Sequence, residues 1–279
     1  MRARADLTGR LLRVLRQNLP RYVLGAVAVI AFIALWAFVS WYLQDTGSPK
    51  AIYVPSPAKV ADAFFGSFSL LPGLEEITMW DLISSSLGRV LLGYAIALVI
   101  GFPAGLLMGS YWSADALGRP ILEMFRPIPP LAWVPVFVFV FGALWGPVGI
   151  VFLGAFFPIL INVMFGVKSV DPSLVDAART LGARRRDIFV KVTMPTTIPY
   201  LMTGLKVGIG IAWMCIVAAE AIGLRGGAGL GYYISLSSLQ FGLWPQTYAT
   251  MIVIGILSMV TTGLASLLEQ RFYKWSGMK

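Results

Sequence analysis

The stretch from Val170 to Tyr200 reads VDPSLVDAARTLGARRRDIFVKVTMPTTIPY. It is polar and basic, although long apolar segments lie on both sides of it. Asp171 followed by Pro172 is typical of a helix start, because an acceptor side chain caps the first turn and proline fits there. Gly182 lies between two short helical patterns, where glycine can adopt turn conformations that other residues resist. The stretch therefore predicts two short helices, joined by a turn, between membrane-embedded segments.

The composition of the chain is that of a membrane protein. Of its 279 residues, 58% are hydrophobic and 13% are charged, whereas soluble domains are about 25% charged. The net charge of +9 does not indicate nucleic acid, since Lys and Arg gather in the cytoplasmic loops of membrane proteins. The absence of histidine excludes imidazole catalysis and histidine metal ligands. We predict an all-α polytopic membrane protein with no metal site and no nucleic-acid partner.

Six transmembrane helices are predicted from hydrophobicity and length. They cover residues 22–43, 82–108, 118–141, 147–167, 195–224 and 247–268. The first run is too long for the apolar part of a cleavable signal peptide. Residues 1–21 carry six arginines interleaved with leucines, which fits either an amphipathic helix on an anionic leaflet or a solvated topology signal. The predicted organisation is a cytoplasmic N-terminal segment, 1–21, followed by a transmembrane domain, 22–279.

Two of the predicted connections contain structure of their own. Residues 44–81 are divided by prolines, and apolar side chains between those prolines recur at helical spacing, which predicts a short interfacial helix. Residues 225–246 are rich in glycine and aromatics and carry a single charge. This second connection is expected to be partly inserted in the protein rather than to form a free loop.

The distribution of Lys and Arg predicts the orientation of the chain. Seventeen of these residues fall in the N-terminal segment, residues 110–126, residues 168–191 and the C-terminal tail, and three fall in the opposite connections. We therefore expect a multi-pass protein of the cell (inner) membrane with both termini in the cytoplasm. The polar stretch then lies in the cytoplasm as well.

The third predicted span contains a break. The sequence Arg126-Pro-Ile-Pro129-Pro130 cannot continue a regular helix, because each proline removes a backbone donor and clashes with the preceding turn. Irregular backbone at membrane depth is tolerated only where it is buried in protein or lines a wet cavity. Arg126, Pro129 and Pro130 are therefore candidates for the wall of a substrate pathway.

Charged residues within the predicted spans are further candidates, since such charges are costly in a bilayer and usually functional. They are Arg89, Glu123, Arg126, Lys206 and Glu220. Glu123 and Arg126 have the spacing of a helical ion pair, and snorkelling to the surface is an alternative for the arginine. Lys206 lies roughly 16 Å into its span at 1.5 Å per residue, too deep for easy snorkelling. We assign Lys206, Glu220, Trp213 and Met214 to the candidate pathway with Arg126.

One set of residues in the polar stretch recurs in a known pattern: Asp176, Ala177, Ala178, Gly182, Val192, Met194 and Pro195. Their spacing resembles the coupling-loop signature of binding-protein-dependent ABC importer permeases. That signature runs Glu-Ala-Ala, three residues, Gly, nine residues, Ile, one residue, Leu-Pro. The chain has Asp, Val and Met where the signature has Glu, Ile and Leu, each a close chemical relative. The resemblance implies that residues 170–194 form the coupling loop, with Asp176, Ala177, Ala178, Gly182 and Pro195 as ATPase-coupling residues.

The resemblance extends over most of the chain, and it indicates one branch within the ABC importer permeases. The motifs that carry it are Tyr53-Val-Pro-Ser-Pro57, Ser86-Leu-Gly-Arg89, Phe125-Arg-Pro-Ile-Pro-Pro-Leu-Ala132, Phe157-Pro-Ile-Leu160 and Ala219-Glu220. They are similar to the nitrate/sulfonate/taurine branch of these permeases. The resemblance implies a type I importer-like permease fold, a second permease copy, two ATPase subunits and an extracytoplasmic substrate-binding protein.

The sequence has no phosphate-binding motif of the type G-x-x-x-x-G-K-[ST], whose backbone amides and lysine hold nucleotide phosphates. We therefore expect a transport subunit that is not itself an enzyme and has no cofactor of its own. The partner subunits would bind ATP and Mg²⁺.

Several functions stay open at this point. A small anion such as nitrate, a sulfonate such as taurine, or bicarbonate fits the branch and the basic residues, but relatives also carry vitamins or heterocyclic precursors. An ion-coupled secondary transporter would show an inverted repeat and midplane acids. A membrane-embedded enzyme would need a cluster of catalytic groups. Neither pattern is visible in the sequence, so an ATP-driven importer permease is the favoured hypothesis.

Overall fold

The computed structural model of the protein describes residues 2–222 and 228–275. The α-helices are α1 Arg2–Asp45, α2 Pro57–Gly66, α3 Met79–Ser110, α4 Trp112–Phe125, α5 Val134–Lys168, α6 Pro172–Thr180, α7 Arg185–Ile188, α8 Met194–Ala221, α9 Leu230–Ser235 and α10 Trp244–Trp275. Short 3₁₀ segments cover Pro49–Tyr53 and Pro130–Trp133, and π-helical turns cover Phe189–Thr193 and Leu236–Gln240. The all-α prediction is confirmed, with the small exception of two short strands.

The exception is a two-stranded antiparallel hairpin of β1 Leu70–Leu71 and β2 Leu74–Thr78. Its turn contains Pro72 and Gly73, and Gly73 has a φ of +85°. A Pro-Gly pair is a strong turn signal, because proline presets one backbone angle and glycine accepts positive φ. The helix predicted within residues 44–81 is present as α2, but the hairpin that follows it was not predicted.

Five helices in the described part of the chain are long and apolar enough to cross a membrane: Tyr22–Asp45, Met79–Ser110, Pro130–Lys168, Arg185–Ala221 and Trp244–Leu267. The third has 39 residues, about twice the length that a bilayer core requires. Its backbone leaves the helical region at Gly142, where φ is 76° and ψ is 179°. This helix therefore corresponds to two of the six predicted spans.

The chain folds back on itself at Gly142. A Cβ placed on Gly146 would lie 2.7 Å from the Cα of Val138, although residues eight apart in a straight helix are separated by ~12 Å. Val134 and Val138 also share a buried cluster with Ile150. The two halves of α5 thus pack against each other as an antiparallel pair. Because α5 supplies two spans, the five long helices correspond to the six predicted spans.

The predicted break in the third span is confirmed. Helix α4 ends at Phe125 and the 3₁₀ turn that leads into α5 begins at Pro130. Pro129 between them has an extended conformation, with φ −56° and ψ 134°. The predicted span 118–141 therefore consists of the end of α4 and the first part of α5, joined by non-helical backbone.

The predicted start of the fifth span at Pro195 lies one residue after the start of α8 at Met194, but the helix extends further back. Helical structure begins at Arg185 and continues to Ala221. The π-helical turn Phe189–Thr193 comes immediately before Met194 and Pro195. A proline lacks the backbone N–H that a regular helix needs, and the wider turn before it lets the helix continue. The basic residues after Gly182 consequently belong to the same helix as the span.

The structure divides into two compact units. The smaller comprises residues 1–66 with 244–246, where the indole of Trp36 donates to the carbonyl of Pro55 over 3.0 Å. In this unit α1 continues without interruption from Arg2 through the predicted boundary at residue 21. The side chains of residues 1–18 lie outside the described part, so the amphipathic character of 1–21 stays a prediction.

The larger unit comprises residues 67–243 and 247–279, and α3, α5 and α8 form its core. A buried cluster joins α3 to α5 through residues Ala97, Leu106, Ala155, Ile159, Val163 and Val167. Glycines bring the two backbones together: a Cβ on Gly93 would lie 2.5 Å from the carbonyl oxygen of Val148, and one on Gly105 would lie 2.7 Å from that of Leu160. Small residues permit such close helix contacts in membranes.

Candidate functional site

The segment from Asp171 to Ala183, named the docking segment here, is exposed over most of its length. Asp171 caps α6, since its Oδ1 accepts hydrogen bonds from the Ser173 hydroxyl over 2.6 Å and the Ser173 amide over 2.8 Å. These two bonds lower the pKa of the Asp171 carboxyl below its ordinary value. Pro172 occupies the first turn, as predicted, and a stable cap keeps the short helix formed.

Several features of the docking segment suit contact with another protein. Asp176 is exposed, and Arg179 reaches it over 3.2 Å. Ala177 is exposed beside it and Ala178 is half-buried. Leu181, an apolar side chain at the end of α6, is 88% exposed. Small side chains let a partner backbone approach closely, so Ala177 and Ala178 leave room for a partner beside the exposed charges.

Gly182 forms the predicted turn between α6 and α7. Its φ is +80°, and no atom lies within 4 Å of the position its Cβ would take. The Ala183 amide donates to the carbonyl of Ala178 over 3.0 Å, which closes the end of α6. Glycine is required here by backbone conformation and not by crowding. The turn joins the docking segment directly to the helix that runs from Arg185 to Ala221.

A second contact ties the start of α4 to the end of α5, just before the docking segment. Asp115 on α4 accepts from Lys168 over 2.7 Å and from Arg119 over 2.7 Å. The hydrogen bond from Lys168, followed by that from Arg119, lowers the pKa of the Asp115 carboxyl. The Lys168 contact spans 53 residues of sequence and was not predicted.

We expect the Asp115 contact to stabilise the protein above about pH 4. A carboxyl whose pKa is lower in the folded state than its unfolded value, near 3.8, stabilises the fold above that value and loses the effect as pH falls. Asp115→Asn should therefore lower the thermal unfolding midpoint in detergent by a constant amount from pH 7 down to about pH 4. The difference from wild type should shrink below that pH, and its disappearance already at pH 6 would contradict the assignment.

A cavity of about 330 Å³ lies beside the break in the third span. Its lining comprises Arg126, Ile128, Pro130, Leu153, Gly154, Phe157, Pro158, Ile161, Asn162, Val207 and Ile211. An adjoining cavity of about 150 Å³ shares Ile128, Pro130, Leu153 and Phe157 and is otherwise lined by aromatic side chains. Arg126 and Pro130, both assigned to the pathway from sequence, thus lie on a cavity, whereas Pro129 is not among its lining residues.

Arg126 supplies the charge on this cavity. Among the described residues it makes no ion pair within 4.0 Å, and the spacing-based pairing with Glu123 is not formed. Arg126 keeps a helical backbone, with φ −56° and ψ −40°, and caps the end of α4, so helical spacing by itself did not bring the two side chains together. Asn162 and Arg126 give an otherwise apolar cavity two polar groups.

The remaining pathway candidates occupy different places. Lys206 forms an ion pair with Glu269 on α10, so its charge is matched and it is not among the lining residues of the cavity. Trp213 is buried and donates through Nε1 to the Thr261 hydroxyl over 2.9 Å. Met214 is 59% exposed. The structure therefore brings only Arg126 and Pro130 together at the cavity, and the pathway roles of the others stay predictions.

Glu220 lies in a buried polar cluster that connects three elements. Its carboxylate accepts from Arg89 over 2.6 Å, from the Ser86 hydroxyl over 2.8 Å and from the Gly231 amide over 3.1 Å. The Ser86 hydroxyl also accepts from the Leu230 amide over 2.9 Å. The Glu220 side chain is fully buried. Helices α3, α8 and α9 therefore meet at the Glu220 carboxylate, and each of them supplies or accepts a hydrogen bond there.

The family model that describes the binding-protein-dependent transport system inner membrane component matches residues 97–274. This match covers α5, the docking segment and α8. The chain belongs to this family. It is thus the permease component of an ABC importer, a multi-pass membrane subunit.

Relatives narrow the branch within the family. The permease is 37% identical over 266 residues to a putative ABC transporter permease protein of Methanocaldococcus jannaschii, covering 95% of this chain and 93% of the relative. It is 31% identical to the nitrate import permease protein of Leptolyngbya laminosa, with coverage of 97% and 94%. It is 30% identical to the taurine transport system permease protein of Escherichia coli, with coverage of 91% and 89%. The predicted nitrate/sulfonate/taurine-type branch is confirmed.

A solved structure supports the fold. The permease resembles a chain of the MetNI methionine ABC transporter in an inward-facing conformation, with a TM-score of 0.56 and 21% identity. The match covers 71% of this permease and 95% of that chain. At this level of identity the likeness concerns the fold, and it agrees with the importer-type architecture predicted from the coupling-loop pattern.

Sequence reasoning missed the Glu220 cluster as a unit. Arg89 and Glu220 were each recognised as charges within spans, and Ser86 and Arg89 belong to one of the motifs that carry the family resemblance. Opposite charges within a bilayer tend to pair with each other. That rule predicts a partner for Glu220, but it does not select Arg89 among the basic residues of the spans, and it would not have identified the amides of residues 230 and 231.

Proposed function

We propose that this permease carries a small anion across the cell membrane as one of two permease copies, driven by two ATPase subunits that bind ATP and Mg²⁺. An extracytoplasmic binding protein would deliver the substrate. The observation that carries the proposal is the continuity between the docking segment and α8. An exposed helix, a glycine turn and a helix of 37 residues form one continuous element that passes the cavity at Val207 and Ile211.

The mechanism proposed for coupling is a movement of this element. ATPase subunits that close on ATP would push α6 through contacts at Asp176, Ala177 and Ala178. Because Gly182 joins α6 to the helix 185–221, the push would tilt α8. Val207 and Ile211 on α8 line the cavity, so a tilt would change the width of the cavity. Transport would follow from alternating these positions, with no chemistry performed by the permease itself.

Orientation is part of the proposal. The excess of Lys and Arg in the N-terminal segment, residues 110–126, residues 168–191 and the tail supports a cytoplasmic position for the docking segment and both termini. ATP is a cytoplasmic fuel, so the docking segment must be on that side to meet the ATPase subunits.

A second permease copy is proposed from the cavity. Val207 lines the cavity and is 46% exposed, so one chain leaves the cavity open along α8. A second copy packed against that face would enclose it, and enclosure is required if substrate is to pass without a leak of ions.

A small anion is the substrate class that the cavity favours, because the charged side chain on it is the guanidinium of Arg126. Guanidinium groups bind carboxylate, sulfonate and similar planar or tetrahedral oxyanions with several hydrogen bonds. The names of the nitrate and taurine relatives support the same class. A heterocyclic vitamin precursor is the alternative, and it would not require a positive charge at the cavity.

Reconstitution of the permease in liposomes tests the importer proposal. The permease is reconstituted alone and with its ATPase subunit and binding protein, and uptake of nitrate, taurine, bicarbonate and a heterocyclic vitamin is measured. Uptake of an anion that requires ATP and all components is expected. Uptake by the permease alone, driven by an ion gradient, would show a secondary transporter and overturn the proposal. Chemical conversion of a substrate without transport would point to an enzyme.

Substitution of Arg126 tests the anion. Arg126→Gln is expected to raise the KM for the transported anion by about tenfold or more, because a charge-assisted hydrogen bond contributes ~1.5–3 kcal/mol. The maximal rate of ATP hydrolysis should stay near that of wild type. Arg119→Gln on α4 is the matched control, since Arg119 pairs with Asp115 and does not line the cavity. An unchanged KM in Arg126→Gln would remove Arg126 from the pathway.

A further inference from the structure

We propose that Glu220, with Arg89 and Ser86, is a positioning site that holds the segment 228–240 against α3 and α8 during transport. This role differs from the pathway role predicted for Glu220 from sequence, and it rests on the proposed importer function. Segment 228–240 consists of α9, the π-helical turn Leu236–Gln240 and the two residues before α9. The site binds no substrate.

The hydrogen bonds of the cluster support an ionised carboxylate. Arginine is a donor without acceptor capacity and stays charged in proteins, and the backbone N–H of Gly231 can only donate. The Ser86 hydroxyl accepts from Leu230, so its own proton is available for Glu220. All three neighbours of the carboxylate therefore donate to it, and the positive charge of Arg89 compensates its negative charge away from water.

The carboxylate holds backbone as well as side chains. The amides of Leu230 and Gly231 belong to the first turn of α9, whose N–H groups have no partner within a helix. Here these two amides donate to Ser86 and Glu220. Arg89 donates in addition to the carbonyl of Ala228 over 3.4 Å. Side chains on α3 and α8 thus satisfy backbone groups of the segment that connects α8 to α10.

The sequence of the segment fits this contact. A Cβ on Gly229 would overlap the carboxylate of Glu220, and a Cβ on Gly231 would overlap the carbonyl oxygen of Val217. The two glycines allow the backbone to approach Glu220 within hydrogen-bonding distance. After the cluster, Tyr233 and Ser237 are fully buried, whereas Leu239 is 79% exposed. The segment is therefore packed along one side and open on the other.

The consequence for transport is that α3, α8 and the segment 228–240 move together. Helix α8 receives the movement of the docking segment, and α3 packs against α5 beside the cavity. If Glu220 did not hold the segment, α8 could tilt while the segment and α3 stayed behind. ATP hydrolysis would then continue, but it would no longer produce a matching movement of the cavity wall.

The test uses single-cysteine reporters in the complete importer reconstituted in liposomes. Cys215 is buried and is replaced by alanine in all variants. Ser237→Cys reports on the buried side of the segment, and Leu239→Cys reports on its exposed side. Labelling by a small maleimide is measured together with ATP hydrolysis and with uptake of whichever anion the wild type transports among nitrate, taurine and bicarbonate.

Glu220→Gln is expected to increase labelling of Ser237→Cys at least tenfold and to leave labelling of Leu239→Cys unchanged. Uptake per ATP hydrolysed should fall about tenfold. This ratio separates positioning from a loss of folded protein, because an unfolded complex contributes neither uptake nor hydrolysis. Glu123→Gln, a carboxyl on α4 with no described ion pair within 4.0 Å, is the matched control and should behave as wild type.

Ser86→Ala is the second variant, for the case in which Glu220→Gln does not assemble. It removes the acceptor of the Leu230 amide and one donor to Glu220, and it leaves the ion pair in place. We expect labelling of Ser237→Cys to rise about threefold and uptake per ATP hydrolysed to fall about threefold, both smaller changes than in Glu220→Gln. Unchanged labelling and an unchanged ratio in every variant that assembles would overturn the proposal. A wild-type permease without ATP-dependent uptake would instead overturn the importer function, and the labelling of Ser237→Cys would still decide the position of the segment.

Discussion

Replacing Gly93 and Gly105 together by alanine is expected to lower the thermal unfolding midpoint of the permease in detergent by about 4–16 °C. Both glycines lie on α3 and face α5. The added methyl groups would lie 2.5 Å from the carbonyl oxygen of Val148 and 2.7 Å from that of Leu160. These obstacles are backbone atoms of a helix and cannot rotate away.

The size of this effect follows from overpacking. Each inserted methyl group costs about 1–3 kcal/mol when the neighbours must shift, whereas glycine to alanine in a free helix gains about 1 kcal/mol. Steric overlap should therefore outweigh helix propensity at both positions. The loss should appear as dissociation of α3 from α5, the contact on which the core of the larger unit depends.

Gly88 provides the matched control on the same helix. No atom lies within 4 Å of the position of its Cβ, so Gly88→Ala should leave the midpoint unchanged or raise it slightly. Thermal unfolding followed by size-exclusion chromatography measures all three proteins. Equal midpoints for wild type and the double variant would show that α3 and α5 do not pack as closely as described.

Gly182→Val is expected to reduce uptake by about tenfold or more while ATP hydrolysis continues. The backbone of Gly182 has a φ of +80°, and a left-handed conformation costs an L-residue about 1–2 kcal/mol. Valine is branched at Cβ and is especially unfavourable there. Since nothing surrounds the Cβ position, the effect comes from the backbone alone. The turn would relax to another conformation, and α6 would no longer be aligned with the helix that follows it.

Gly182→Asn is the control for this prediction, because asparagine tolerates positive φ better than other residues with a side chain. It should retain most of the uptake that valine removes. The measurement is the ratio of uptake to ATP hydrolysis in the reconstituted importer, with insertion of the permease checked by its yield in detergent. Full coupling in Gly182→Val would show that the turn does not transmit force, and equal losses in both variants would point to a contact made by the glycine position itself.

Much of the architecture was predictable because it depends on local rules. A bilayer requires long apolar helices, so hydrophobicity located the spans. Three prolines within four residues cannot continue a regular helix, so the residues from Arg126 to Pro130 located the break beside the cavity. Gly182 was assigned to a turn from its position between two helical patterns, and its positive φ is the conformation that glycine provides.

Other features were not predictable by these rules. The fifth span was predicted to begin at Pro195, one residue after the start of α8 at Met194. The π-helical turn that continues the helix back to Arg185 was not predicted. The pairing of Glu123 with Arg126 had the right spacing, and the backbone of Arg126 is helical, but the two side chains do not form an ion pair. The hairpin of Leu70–Thr78 was missed because its strands are too short for a pattern of alternating residues.

The sequence by itself determined the class of protein, the approximate spans, the glycine turn between α6 and α7, and the family, because composition, periodicity and motif spacing are properties of neighbouring residues. Only the tertiary structure decided which charges meet. Lys206 lies against Glu269, Arg126 lies on the cavity, and Glu220 receives Arg89 from a position 131 residues earlier. A charge in an apolar span must find a partner, but the packing of α3, α5 and α8 selects that partner.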